Sequence, residues 1–133
     1  MSNRKTGTAF EKELCEYLGK HGFWAHNLAQ SAAGQPFDVI AVRHGIAYPI
    51  DCKVCENDVF PFSRIEENQR MAMEKWIKAG NGDTWFALKL SDGEVYMVPY
   101  GVFRWAETYH HEKSMDRDDI EDLGYPLKLE DWV

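Results

Sequence analysis

Apolar residues recur at Phe10, Leu14, Tyr17 and Leu18, the spacing of one helix face, and Gly22 follows Lys20 and His21 as a stop signal. Thr8 and Glu11 have the spacing of a capping box, so a first helix is predicted over about Ala9 to His21. Phe23 to Leu28 reads as a strand, followed by a polar, small-residue connection from Gln30 to Pro36. Phe37 to Arg43 and Ile46 to Val54 read as two strands joined at His44-Gly45, a two-residue turn whose glycine accepts positive φ. Cys55 to Phe62 is predicted as a loop, and Ser63 with Glu66 has capping-box spacing at the head of a second helix. On that helix Ile65, Gln69, Ala72, Met73, Trp76 and Ile77 share a face that only Gln69 interrupts, and Gly80 ends it. Trp85 to Leu90 and Val95 to Tyr100 are two further strands, and a short acidic helix is expected near Asp116 to Leu123.

The hairpin places chemistry. If Arg43 faces Ile46, then Val39 faces Ile50 and Asp38 faces Asp51, with Pro49 able to bulge the strand and shift the register. Directly opposed residues have Cβ atoms roughly 4.5–5.5 Å apart, and two carboxylates there repel unless a cation lies between them. Alternation sends Asp51 and Lys53 to one face and Ile50 and Cys52 to the other. A hard divalent ion suits the pair: Mg²⁺ takes carboxylate oxygens, keeps several waters and completes its shell with phosphate. Mn²⁺ would substitute. Lys53 would then hold the attacking water or stabilise charge growing on phosphate oxygens. The plain alternative is a solvated hairpin face with an ordinary Asp-Lys pair. Glu11 is either the third residue of the cap or a carboxylate aimed at the hairpin. Gln69 either lies at the helix edge or meets the site.

With 133 residues the chain is expected to be a single domain spanning 1–133, its last segment, 107–133, forming an acidic tail. The formal charge of −7 argues against a whole-protein basic footprint, but nine acids and three bases lie from Glu107 onward, leaving 13 acids and 12 bases before it. A local basic groove is therefore open to Arg4, Lys5, Lys12 and Lys20 near the first helix and to Arg64 and Arg70 at the second. Thr8, Ser31 and Ser63 would add hydroxyl contacts to phosphate. The three cysteines, Cys52-x-x-Cys55 among them, fit reduced thiols better than a disulfide framework or a zinc site. No apolar run of membrane length occurs, so a cytoplasmic location is the default and no membrane partner is expected.

Pro36-Phe37-Asp38 and Asp51-Cys52-Lys53 resemble the signature of the PD-(D/E)xK nuclease superfamily, and Gly7-Thr8-Ala9-Phe10-Glu11 resembles the Gly-x-x-x-Glu of Holliday junction resolvases. Phe60-Pro61-Phe62-Ser63-Arg64-Ile65-Glu66-Glu67-Asn68-Gln69 and Tyr125-Pro126 are similar to segments of RecU-type resolvases. The resemblance implies an α/β fold with a restriction-endonuclease-like core, a central mixed β-sheet flanked by helices. It implies Asp38, Asp51 and the Cys52 carbonyl as Mg²⁺ ligands, Glu11 at the metal directly or through water, Lys53 as the catalytic lysine, and Gln69 near the scissile phosphate. It also implies a homodimer that nicks symmetric strands of a four-way DNA junction, leaving 5′-phosphate ends. Asp51 stands where Glu is more frequent, and the short link from Leu28 to Phe37 replaces a long RecU insertion. Its compactness suggests a phage or mobile-element form in a bacterial cell. Two other readings are a less selective flap or single-strand nuclease and a catalytically silent DNA-binding module on the same scaffold.

Overall fold

Helix α1 runs from Asn3 to Lys20, so it starts before Ala9 and holds Thr8 and Glu11 in its interior. The predicted capping box therefore does not form there: residues 3–8 contain no proline to stop the helix from extending back. The computed structural model describes residues 3–28, 35–123 and 127–133, with backbone alone at 3–6 and 127. The stop at Gly22 is as predicted: its φ is +87°, Phe23 N–H donates to Leu18 O at 3.1 Å, and Gly22 N–H to Gly19 O at 3.4 Å. That pairing is a Schellman motif, sealed by apolar contact between the buried Leu18 and Phe23.

The strands are β1 (Trp24–Asn27), β2 (Val39–Arg43), β3 (Ile46–Cys55), β4 (Val59–Pro61), β5 (Trp85–Leu90), β6 (Val95–Pro99), β7 (Ser114–Asp116) and β8 (Leu127–Lys128). The described residues form a six-stranded sheet in the order β1-β2-β3-β5-β6-β8 and a small one of β4 and β7. The large sheet is mixed, with β3 and β5 its parallel pair and the other neighbours antiparallel. The hairpin has the predicted register, Arg43 opposite Ile46 and Val39 opposite Ile50, with His44 at φ 54° and Gly45 at φ 78° in the turn. Pro49 does not shift it. In a two-residue hairpin the closing pair is hydrogen-bonded, so Pro49, opposite Ile40, falls at a non-bonded position and removes no bond to β2. Pairing with β5 begins only at Ile50.

Three expectations change. The segment predicted as a loop contains β4, which pairs with Ser114–Asp116, and then a 3₁₀ turn, Phe62–Arg64. Helix α2 (Glu67–Lys78) is capped by Glu66 with Gln69 as the reciprocal partner, not by Ser63, which lies in the 3₁₀ turn. Tyr100 leaves the strand to open α3 (Tyr100–Tyr109), whose Tyr100, Phe103 and Ala106 are buried. The acidic helix α4 (Arg117–Asp122) is close to its predicted place, with Asp116 and Asp119 forming its capping box, and α5 (Leu129–Trp132) ends the chain. Tyr125-Pro126 lies outside the described residues.

The sheet separates two apolar clusters. On one face α1 lays Phe10, Leu14 and Leu18 on Val39, Ala41, Ile50 and Cys52. On the other, α2 and α3 cover Phe86 and Leu88 with Met73, Phe103 and Ala106. Phe60, Phe86 and Phe103 are each fully buried, worth roughly 1.5–3 kcal/mol apiece in removed apolar surface. The Phe62 and Phe103 rings meet edge to face at 4.6 Å. These layers fix β3 between α1 and α2, and the site depends on that placement. Among the described residues no helix is long and apolar enough to cross a membrane.

Candidate active site

Regular pairing of β2 with β3 ends at Val39 and Ile50, so Asp38 and Asp51 meet where the ladder opens rather than as a further rung. Asp38 N–H donates to Ile50 O at 3.0 Å and its carbonyl accepts from Leu28 N–H at 2.9 Å, which pins the residue between β1 and β3. Its carboxylate takes the place of the missing strand. Oδ2 accepts from Cys52 N–H at 2.8 Å and Oδ1 from Gln35 Nε2 at 2.6 Å. A strand residue presents its N–H and C=O to the same side, so the Cys52 carbonyl also faces the β2 side.

Alternation along β3 is as expected. Ile50 and Cys52 join the cluster under α1, whereas Cys55 joins the cluster under α2. Asp51 is fully buried, and neither carboxylate oxygen accepts a hydrogen bond from the described residues. Its nearest compensation is Lys53 Nζ, 3.4 Å from Oδ1. Burial pushes the Asp51 carboxyl well up from its ordinary value, Lys53 offsets part of that, and Asp38 adds to it. Lys53 Nζ also donates to Gln69 Oε1 at 3.1 Å, and that same oxygen accepts from Glu66 N–H at 3.1 Å. Gln69 is therefore both part of the helix cap and the holder of the lysine, which is why a polar residue occupies an apolar face. It is 93% buried, its exposure being 7%.

Glu11 approaches from α1, equally buried, its pKa raised from 4.5 to about 7 by burial and then by Asp38, with Lys53 opposing. Glu11, Asp38, Cys52, Lys53, Gln69 and Arg64 line one open groove of about 720 Å³. Among the described residues no three His, Cys, Asp or Glu side chains converge as a ready-made metal cage. The donors nonetheless fit a hard cation: two carboxylates and a backbone carbonyl are the oxygen set Mg²⁺ accepts while keeping its waters. Asp51, with two buried oxygens and no donor, is the group such an ion would satisfy.

The proposed DNA contacts divide. Thr8 and Arg64 line the groove, and Arg64 Nη1 donates to Val54 O at 2.7 Å. Ser63 is exposed beside it in the 3₁₀ turn but is not part of the lining. Lys12 and Lys20 are exposed on α1. Arg70 is occupied elsewhere, forked onto Glu107 at 2.8 and 3.1 Å. Arg4 and Lys5 are described in backbone only, and Ser31 lies outside the described residues. The three cysteines are free thiols. Sequence reasoning missed Gln35, Asn68 and the capping role of Glu66. The first sat in a stretch read as plain connection, although it directly precedes Pro36-Phe37-Asp38.

The fold is similar to that of a Holliday junction resolvase, Hjc, from the archaeal hyperthermophile Archaeoglobus fulgidus. The TM-score is 0.69 at 20% identity, over 96% of this chain and 94% of that one. No curated protein matches the chain significantly. The family model that matches is described as archaeal Holliday junction resolvase (hjc) and spans residues 1–128. It replaces the RecU-type and phage affinity suggested by Phe60 to Gln69 and Tyr125-Pro126, while the wider nuclease superfamily stands. The bacterial cell inferred with that affinity falls with it. Matched from residue 1 to residue 128, the chain belongs to the archaeal Holliday junction resolvase family, structure-selective DNA endonucleases.

Proposed function

We propose that this chain cuts four-way DNA junctions by Mg²⁺-dependent hydrolysis at the groove between α1 and α2. The observation that carries the reading is Asp51: a buried carboxylate with no hydrogen-bond donor, beside a lysine held in place by a glutamine. A protein interior retains such a group at a cost, and clefts where burial and a specific charge partner coincide are where active sites are found. Resolvases of this family are generally metal-dependent.

Asp38, Asp51 and the Cys52 carbonyl would hold the cation, with Glu11 reaching it through water. When bound, the ion lowers the pKa of a water and neutralises charge on the scissile phosphate. Asp38 is already oriented by two hydrogen bonds, so its carboxylate needs no reorganisation. The Lys53 ammonium stabilises negative charge on the phosphate oxygens as it grows. Gln69 fixes where that ammonium sits. In the metal-free groove burial and Asp38 hold the Glu11 carboxyl up to about 7, so it gains negative charge there as pH rises. Thr8 and Arg64 contact the DNA backbone at the groove wall. Two copies, related by a two-fold axis, would cut the two symmetric strands.

Labelled four-way junction, flap and linear duplex incubated with the protein in Mg²⁺ or Mn²⁺ test this. Paired nicks at symmetric positions of the junction, absent without metal, are expected. Metal-dependent cutting that survives Asp51→Ala or Lys53→Ala would overturn the assignment.

A further inference from the structure

Gln35 lies against the site without belonging to the nuclease signature. Its Nε2 donates to Asp38 Oδ1 at 2.6 Å. A carboxylate only accepts, so this contact settles which end of the amide is nitrogen. The opposite end is then oxygen. Gln35 is 93% buried, at 7% exposure, and no described protein group donates to that Oε1. The residue lines the groove alongside Asp38 and Lys53.

Its backbone is also tied down. Asn68 Nδ2, in the first turn of α2, donates to Gln35 O at 3.4 Å. The adjacent Gln69 holds Lys53. One helical turn thus holds both halves of the site, the lysine through Gln69 and the aspartate through Asn68 and Gln35. An amide anchored at its backbone, spent at its nitrogen and left with a buried bare oxygen in a polar groove is placed to accept from a group that arrives there. Mg²⁺ and Mn²⁺ arrive carrying waters, each a donor.

We infer that Gln35 is a positioning residue of the cleavage site: its Nε2 fixes the Asp38 carboxylate, and its Oε1 accepts from a water in the shell of the bound divalent cation. The inference rests on the metal-dependent reading of the groove. Outer contacts of this kind are worth about 10–100-fold in metal affinity or activity.

Calorimetric titration of Mn²⁺ into the DNA-free protein tests it, with wild type beside Gln35→Met, which keeps the length of the side chain and removes both polar atoms. The expected result is Mn²⁺ binding at least about 10-fold weaker in the variant, with an unchanged thermal midpoint. Raising Mg²⁺ should then restore junction cleavage, because the ligands themselves are intact, a rescue that a merely structural role would not give. Should Gln35→Met fail to fold, Gln35→Ala is read the same way. Affinity within twofold of wild type overturns the role of Gln35 alone. Absence of Mn²⁺ binding in the wild type overturns the metal-site reading, and this inference with it.

Discussion

Two clusters in this molecule are built from the same residue types and behave in opposite ways. At the tail, Arg117 reaches Asp92 at 2.9 Å, Glu94 at 3.1 Å and Asp58 at 4.0 Å. At the sheet's centre, Lys53 stands 3.4 Å from an Asp51 that accepts no hydrogen bond. The acids around Arg117 are supplied with donors. Asp58 is held below its ordinary pKa by Ser91 and Asp92 by the Glu94 backbone N–H, each with further help from Arg117. Asp51 is driven the other way, first by burial. A cluster that only stabilises satisfies its acids at the surface. The cluster proposed for chemistry leaves an acid desolvated and short of donors, where a cation would satisfy it.

The strongest way to break that contrast is Lys53→Met. Junction cleavage should fall by on the order of 10²–10³-fold in a single-turnover assay, as for loss of a preorganised transition-state donor. Arg117→Met, the matched change in the tail, should leave the rate unaltered. Gln69→Ala comes next: about 10-fold slower cleavage, through a less well-placed lysine, and about 1 kcal/mol less stability by urea unfolding, because the reciprocal bond of the α2 capping box is lost. Lys53 and the cap share one oxygen, so the two effects should appear together.

The pH dependence sharpens the comparison. Folded, metal-free protein keeps a proton on Glu11 up to about pH 7, whereas the unfolded chain releases it near 4.5. The native state therefore binds more protons across that window, and stability falls as pH rises through it. Asp51 contributes in the same direction. Asp58 and Asp92 do the reverse: their stabilisation is present above about pH 4 and is lost as pH falls further. Urea unfolding in EDTA at pH 5 and 7.5 should show the decline, and Glu11→Gln should flatten it. The smallest effect expected is from Arg117→Ala, a slight loss of stability in urea unfolding that shrinks further at high salt, with cleavage intact.

What was legible in the chain was what is written locally. His44-Gly45 has a conformation few other pairs adopt, so the hairpin and its register from Arg43-Ile46 to Val39-Ile50 follow from adjacent residues. The Gly22 stop is of the same kind. Gln69 was conspicuous because helical spacing made it the lone polar residue on its face. What was missed depends on distant partners. β4 exists because Ser114–Asp116 pairs with it from far along the chain. Helix α3 has no side-chain cap of its own: Pro99 precedes it, and Tyr100 N–H donates to Thr84 O in another segment. Gln35 acquires meaning only when β2, β3 and α2 come together around it.

The central claim is that Asp51, buried and without a donor, is there for the cation that cuts the junction. The most direct measurement is single-turnover cleavage of a labelled four-way junction at saturating Mg²⁺ by wild type and Asp51→Asn, with junction binding and thermal midpoint measured on both. The account predicts symmetric nicks from the wild type and none from the variant, although the variant binds the junction as well and melts no lower. Equal cleavage by the two proteins would contradict it.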